Sequence, residues 1–471
     1  MDIQELKMLI EENDVRTIDL KYCGLLGQWY HITMPIKRLD HILKYGVCLD
    51  NNQQIPTIGN EELVLIPDID TASIDETQDV PILTILCSIH DGKSCIGAKG
   101  DPRSIAVRAR EYLVATGIAD EICWIPEMKF YIFDEANFYN SKFSSAYQFT
   151  STENKYCLPE GYDDGIATSN QDINGRNINT PFDSNFVIRQ EIVDNLENNK
   201  VEIRYHNHEE GLTGQQRIMP ELMPLVKAAD SVLLIKDIAR QLASEYGASV
   251  TFMPKPIYNE PGNGLHFHVQ LRQNGENLFY EKGRYADLSH IALYFIGGIL
   301  HHGRSLAAFT NPSTNSYKRL LQDSNEPVKL FYGFANREAA VSVPKDAYTP
   351  EEKRIEIKIG DASSNPYLAM SAILMAGLDG IKNQIHPNEL GYGPYEDDIR
   401  SWPKAMQDAL KAMPTSLEEA LVALKQDFQY LLAGDVFSKE FINIWIEQKM
   451  SEVDAINHRP HPYEMSLYYN L

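Results

Sequence analysis

Apolar and polar positions divide the chain into short alternating runs and longer helical stripes. Residues 3–12 and 37–44 carry helical spacing, whereas 17–22, 62–67 and 84–88 read as strands parted by turn residues such as Pro67-Asp68 and Asp91-Gly92. About the first hundred residues therefore predict a small α+β domain. A helix is expected over Pro102–Thr116, with Asp101 as its N-cap and a proline at its first position. From Trp124 onward the texture changes. Strand candidates at 124–133, 201–206, 264–271 and 354–359 alternate with long amphipathic helices at 219–246, 288–310 and 366–384. The polar stretch 137–180 lacks a period and predicts loop. Residues 386–460 predict a helical tail, and 465–471 a strand-like tip.

Composition narrows the partners more than the chemistry. A chain of 471 residues predicts two or three domains. Its 66 acidic against 43 basic residues give a formal charge of −23, which argues against nucleic acid and anionic membrane as bulk partners. No apolar run approaches the roughly 20 residues that span a bilayer, and the N-terminus lacks a basic segment followed by an apolar core. The six cysteines (Cys23, Cys48, Cys87, Cys95, Cys123 and Cys157) form no CxxC pair and predict free thiols. A cytoplasmic location is the expectation.

Strand side chains two apart share a face, so four strand candidates offer converging polar groups: Glu127 with Lys129, Glu202 with Arg204, His266 with His268, and Arg354, Glu356 and Lys358 together. Glu127 lies in an otherwise apolar and aromatic run, where a carboxylate is costly unless paired or bound. Two readings stand: an ion pair with Lys129 or another base, or a hard-cation site of carboxylates and one imidazole. Arg319, Arg337 and Arg354 offer planar forks suited to carboxylate or phosphate.

The segments carrying these residues resemble one family in order. Asn311 to Leu320 (NPSTNSYKRL) is similar to the NPTxNSYKRL segment of type I, bacterial glutamine synthetases. Thr251 to Pro256 (TFMPKP), followed by Gly262 to His268 (GNGLHFH), resembles the family's FMPKP…GxGxHxH pattern. Asn336-Arg337, Arg354-Ile355-Glu356, Asn365 to Leu368 and Ala376 to Asn383 extend the match along nearly the whole chain. The resemblance implies an α+β fold with a small N-terminal β-grasp-like domain (1–100) and a large catalytic domain (101–471) of antiparallel strands backed by helices. It also implies a homo-oligomer, a dodecamer of two hexameric rings. The implied reaction is phosphoryl transfer from ATP to a carboxylate, followed by displacement of phosphate by ammonia or an amine.

Residue by residue, the resemblance implies one metal, Mg or Mn, at Glu127, His266 and Glu356. The three glutamates of the second family metal correspond to Lys129, Glu209 and Arg217, so an ion-pair cluster is expected in its place. Asp50, Arg319, Arg337 and Glu326 are the candidate catalytic residues. Asp50 begins Asp50-Asn51-Asn52-Gln53 where the family has a DGSS latch, and Glu326 follows Asn325, which stands at the family's flap glutamate. His268 and Arg354 are expected to hold the nucleotide, and Gly262, His266, Arg319 and Lys358 the substrate. Lys358 and Ser342 replace family arginines, Pro261 replaces an asparagine, and the segment around 175–181 departs from the family's GYFP.

These replacements predict an ATP-dependent carboxylate–amine ligase acting on an altered amino acid or amine, rather than ordinary glutamine synthesis. Two alternatives remain from the sequence: a catalytically silent homologue serving as an oligomeric scaffold or regulator, and a single-metal enzyme that does not use ATP.

Overall fold

The computed structural model describes residues 1–49, 55–58, 62–75, 80–153, 175–321 and 327–471. The N-terminal sheet contains β1 (Thr17–Cys23), β2 (Trp29–Pro35), β3 (Val47–Cys48), β4 (Leu63–Pro67), β5 (Ser73–Asp75) and β6 (Ile82–Asp91). Its order is β2-β1-β6-β4-β3, with β5 also on β6 and with β1 and β6 parallel. Helices α1 (Ile3–Glu12) and α2 (Leu39–Tyr45) pack Leu6, Leu39 and Ile42 into its core beside Ile18, Leu20 and Leu83. This mixed sheet with helices on its apolar side is the β-grasp-like unit expected. Asp2 and Glu5 close α1 with a reciprocal capping box. Gly46 ends α2 at φ 71°, where a Cβ would meet the Leu65 carbonyl oxygen at 2.5 Å.

Helix α3 (Pro102–Thr116) leads into the larger unit, and the Asp101 side chain caps it by accepting from the Ser104 amide. The second sheet has ten strands. Along its main path they run β10 (Ile203–His208), β11 (Gln215–Pro220), β7 (Glu121–Phe133), β14 (Leu265–Gln273), β18 (Ile355–Ile357), β17 (Val341–Val343) and β16 (Tyr332–Phe334). Strands β12 (Met223–Pro224) and β13 (Ser249–Thr251) also pair with β7, and β15 (Glu276–Asn277) pairs with β14. A hairpin of β8 (Glu135–Asn140) and β9 (Ser145–Thr150) stands apart. Behind the sheet lie α4 (Phe186–Asn198), α5 (Leu225–Glu245), α6 (His290–His301), α7 (Gly303–Thr310), the one-turn α8 (Ser316–Arg319) and α9 (Pro366–Lys382). The tail adds α10 (Lys404–Ala409), α11 (Leu417–Gln426), α12 (Lys439–Asn457) and α13 (Pro462–Tyr468). Among the described residues no helix is long and apolar enough to cross a membrane.

Four expectations are corrected. The helix expected from 219 begins only at Leu225, because Pro220 and Pro224 cannot sit inside a helix and the chain pairs as strand instead. The helix expected over 288–310 breaks at His302, between α6 and α7. Within 137–180 the hairpin β8–β9 appears, and its mostly exposed positions give no in–out alternation to read. The strand-like tip is helical: His461 caps α13, Glu464 closes the box and Pro462 takes the first turn.

Buried charge joins the two units. Arg103, almost fully buried on α3, donates to both Asp230 oxygens of α5 (3.1 and 3.0 Å), to Asp68 (2.7 Å) and to the Ser88 hydroxyl (3.0 Å). Asn365 adds bonds to the carbonyls of Gly24 (3.2 Å) and Leu25 (3.0 Å). Arg103→Ala should cost about 3–5 kcal/mol in denaturant unfolding, because Asp230 would remain buried without its partner. Arg103→Lys should recover only part of that, since the fork is lost.

His302 links three helical segments in the same way. Its Nε2 meets Asp379 at 3.0 Å and its Nδ1 meets Asp427 at 2.9 Å. Burial lowers its pKa, but the two carboxylates win and raise it above the ordinary value of about 6.5. The imidazolium contribution is therefore complete below about pH 6.5 and fades as pH rises through the folded value. His302→Gln should cost about 1–2 kcal/mol at pH 6, Asp427 being partly solvated, and the gap to the parent in thermal midpoint should close toward pH 9.

Candidate active site

Register brings the polar residues of six strands onto one face. Along β7, Ile122, Trp124, Met128, Phe130 and Ile132 enter the main core, so the intervening Glu127 and Lys129 lie on the opposite side. Across the sheet His266 pairs with Glu127, His268 with Glu356, Ser342 with Glu356, Arg217 with Lys129, and Asn207 with Arg217. A slip of one residue would turn any strand's contribution into the core.

Two carboxylates and two imidazoles form one half of this face. The Nδ1 of His266 is 3.1 Å from Glu356 and 3.6 Å from Glu127. The Nε2 of His268 is 3.8 Å from the other oxygen of Glu127, and it is buried without a hydrogen-bond partner. Ser342 donates to the second oxygen of Glu356 at 2.8 Å. The tight three-residue grouping, with one ligand atom each within 4.8 Å, is Glu127, His268 and Glu356. The expected trio carried His266 instead; both imidazoles reach the carboxylates because β14 places them on one face. Burial works against both carboxylates, but the imidazoles, with Arg217 and Lys129 at Glu127 and Lys358 at Glu356, hold each below its usual range. Two carboxylates with an imidazole fit one divalent cation.

Cations form the other half. Glu209 is fully buried, with Lys129 Nζ at 3.1 Å, Arg217 Nε at 3.0 Å and Arg176 at 3.3 Å. The expected cluster of Lys129, Glu209 and Arg217 is thus present, with Arg176 added. Arg217 also reaches Glu127 at 3.3 Å, donates to Asn207 at 2.9 Å and lies 5.0 Å over the Tyr205 ring. Glu127 is therefore paired with Arg217 rather than with Lys129. Burial pushes the Glu209 carboxyl up, but Lys129, Arg217 and Arg176 outweigh it and hold it down. This half does not fit a second divalent cation: one carboxylate faces three cationic side chains.

The anion-binding candidates separate. Arg319 is buried and donates to the carbonyls of Lys358 (3.2 Å) and Ile359 (3.4 Å). Its stem packs on Gly262, where a Cβ would meet Arg319 Cγ at 2.8 Å and the Pro254 carbonyl at 2.7 Å. Arg354 pairs with Asp346 at 2.5 Å, and its Nε faces His268 Nδ1 at 3.4 Å. Lys358, expected to face the substrate, gives its ammonium to the carbonyls of Asn336 (2.7 Å) and Arg337 (2.8 Å), because a buried ammonium must find acceptors where it lies. Arg337 is exposed on that loop. Arg204 pairs with Glu221 at 2.9 Å rather than with Glu202. Asp50, Asn325 and Glu326 lie outside the described residues.

Sequence reasoning missed three residues. Arg176 sits in a stretch without periodicity. Asn207 is one strand step from Glu209. Gln215, two residues before Arg217, props the Pro-Gly-Asn-Gly turn by donating at 3.0 Å to the Gly262 carbonyl and to Asn263. Its place on the Arg217 face was the available signal.

A family model described as the glutamine synthetase catalytic domain matches residues 99–468, and one for the glutamine synthetase β-grasp domain matches 14–92. The chain belongs to the glutamine synthetase family. It is 37% identical to a glutamine synthetase of Frankia alni and 38% identical to one of Aquifex aeolicus, with 99% of both chains covered in each comparison. A cryo-EM structure of Plasmodium falciparum glutamine synthetase matches with a TM-score of 0.87 at 28% identity, covering 100% of this chain and 99% of the other. Glutamine synthetases are ATP-dependent ligases, and the face on β7, β14 and β18 is where this member of the family gathers its buried charge.

Gly262→Ala tests the packing under Arg319. The methyl group would clash with both the Pro254 carbonyl and the Arg319 stem, so the turn and Arg319 must both shift. The expected cost is about 1–3 kcal/mol in unfolding, with weaker binding of carboxylate ligands. Unchanged stability and binding would show that the turn relaxes around a methyl group.

Proposed function

We propose that this chain is an ATP-dependent carboxylate–amine ligase that works with one divalent cation and acts on an amino acid or amine other than glutamate or ammonia. The carrying observation is the split face: two carboxylates with two imidazoles on one side, and Glu209 enclosed by Lys129, Arg176 and Arg217 on the other. Mg or Mn would sit between Glu127 and Glu356. The choice of imidazole follows from tautomers. Arg354 donates toward Nδ1 of His268, which leaves the proton of the neutral ring on Nε2. We therefore assign His268 Nε2 as a donor to a phosphate oxygen, together with Arg354 as its support, and His266 as the cation ligand once its Nδ1 gives up the proton it now donates to Glu356.

When bound, the cation supplies charge neutralisation for phosphoryl transfer. The chain's own residues do the rest. Arg217 and Lys129 offer fixed positive charge beside the transferring group, Arg319 and Gly262 shape the carboxylate pocket, and Arg337 lies on the neighbouring loop. Asp50 and Glu326 are proposed for the amine side of the reaction. A homododecamer of two hexameric rings in the cytoplasm is part of the same reading, by analogy with the family.

A second reading is favoured by one observation. Glu127, Glu209 and Glu356 are already matched by Lys129, Arg176 and Arg217, with His266 and His268 beside them, so the face is charge-satisfied without any ligand. A catalytically silent homologue acting as an oligomeric scaffold would look like this.

Calorimetry separates the readings. The ligase should bind ATP with magnesium at one nucleotide and one cation per subunit; no binding at millimolar nucleotide, with the oligomer intact, would leave the silent reading. Cation binding unaffected by nucleotide would favour single-metal chemistry without ATP. Glu356→Gln should lower phosphoryl transfer by about 10²–10³-fold. Lys129→Glu with Arg217→Glu should raise bound manganese from one to two per subunit in equilibrium dialysis. A stoichiometry still at one would sink the idea that these two cations replace a metal.

A further inference from the structure

We propose that the seam between the β-grasp-like unit and the large unit is a binding site for a small organic anion with an apolar body. The inference is independent of the ligase reading. A cavity of about 600 Å³ lies there, within the size range of small-molecule sites, and a recess of about 240 Å³ adjoins it, sharing Thr84 and Lys200 in its walls.

The walls follow from three periodicities. On β6, Thr84, Leu86 and Ser88 alternate onto the face turned toward the large unit. On α3, Arg103, Val107 and Arg110 lie on one helical face, and on α5 so do Val226, Asp230 and Leu234. Ile66, Leu86, Val107, Val226 and Leu234 are each only half-buried, although they face one another across the seam. Two packed layers would ordinarily close over such side chains. Here they stay apart, held by Arg103 bridging Asp68 and Asp230.

Polarity gives the ligand its sign. The carboxylates of the wall are engaged: Asp68 and Asp230 by Arg103, and Asp70 by the N-terminal ammonium at 2.6 Å. Arg110, Lys200 and Lys227 line the same cavity and have no ion-pair partner among the described residues. In a chain of formal charge −23, cations left over around an apolar cavity mark an anion site. The Thr84 side chain forms part of the wall shared by the two cavities. An apolar body among the half-buried side chains and an acidic group toward Arg110 and Lys227 satisfy both features.

The test uses the full-length protein and 8-anilinonaphthalene-1-sulfonate, an aromatic body with one anionic group. Saturable fluorescence with one probe per subunit is expected, with N-phenyl-1-naphthylamine, which lacks the sulfonate, binding at least tenfold more weakly. Arg110→Glu with Lys227→Glu, both at exposed positions, should weaken the sulfonate at least tenfold while leaving the thermal midpoint and the neutral probe unchanged. Leu234→Trp should fill the cavity and abolish binding of both probes. Binding indifferent to the charge reversals would overturn the proposal, as would equal affinity of the neutral probe. Displacement of the sulfonate by ATP with magnesium would place the probe on the β-sheet face and overturn it as well.

Discussion

The polar face depends on Arg217, which bridges Glu127 and Glu209 from the next strand. Two buried carboxylates, one on β7 and one just beyond β10, repel each other and lose hydration, and a guanidinium from β11 between them offsets both costs at once. Its planar fork reaches Glu127 with a terminal nitrogen, its Nε is shared between Asn207 and Glu209, and the Tyr205 ring lies against its face. Lys129 and Arg176 then complete a charge balance within the sheet. Strand register becomes part of the electrostatics: β7 sets Lys129 beside Arg217 on its β11 side and Glu127 beside His266 on its β14 side.

A bound cation and a fixed guanidinium neutralise the same charge in different ways. The metal exchanges ligands and accepts oxygen atoms from any direction; the guanidinium donates along set vectors and stays where its stem allows. A face with one metal position and one guanidinium position can still stabilise a transferring phosphoryl group. It loses the freedom to coordinate a second oxygen nucleophile or carboxylate. Substrate geometry on that side must then match the directions of Arg217 and Lys129, which is why the proposed change falls on the substrate rather than on the type of reaction.

Much of this was legible in the sequence. Helix α3 was readable at its start because Asp101 and Pro102 are local signals. The β7 pair Glu127 and Lys129 stood out because charge inside an aromatic run is improbable without a partner. Local signals failed where tertiary packing decides. The break at His302 is shaped by Asp379 and Asp427, which lie 77 and 125 residues away. Lys358 was expected at a ligand, yet its ammonium turned to the nearest carbonyls, an outcome set by the course of the 336–337 loop. Arg176 carried no pattern, since its role comes only from meeting Glu209 in space.

Buried charge gathers both at the sheet face and at the seam around Arg103, and the two differ in kind. At the seam one guanidinium serves two carboxylates and a hydroxyl, all from elements it must hold together. At the face three cations are shared among three carboxylates: Arg217 serves Glu127 and Glu209, Lys129 serves Glu209, and Arg176 serves Glu209 and Glu210. The face is balanced as it stands, so an anionic group binding there must arrive with its own cation or draw Lys129, Arg176 or Arg217 away from a carboxylate.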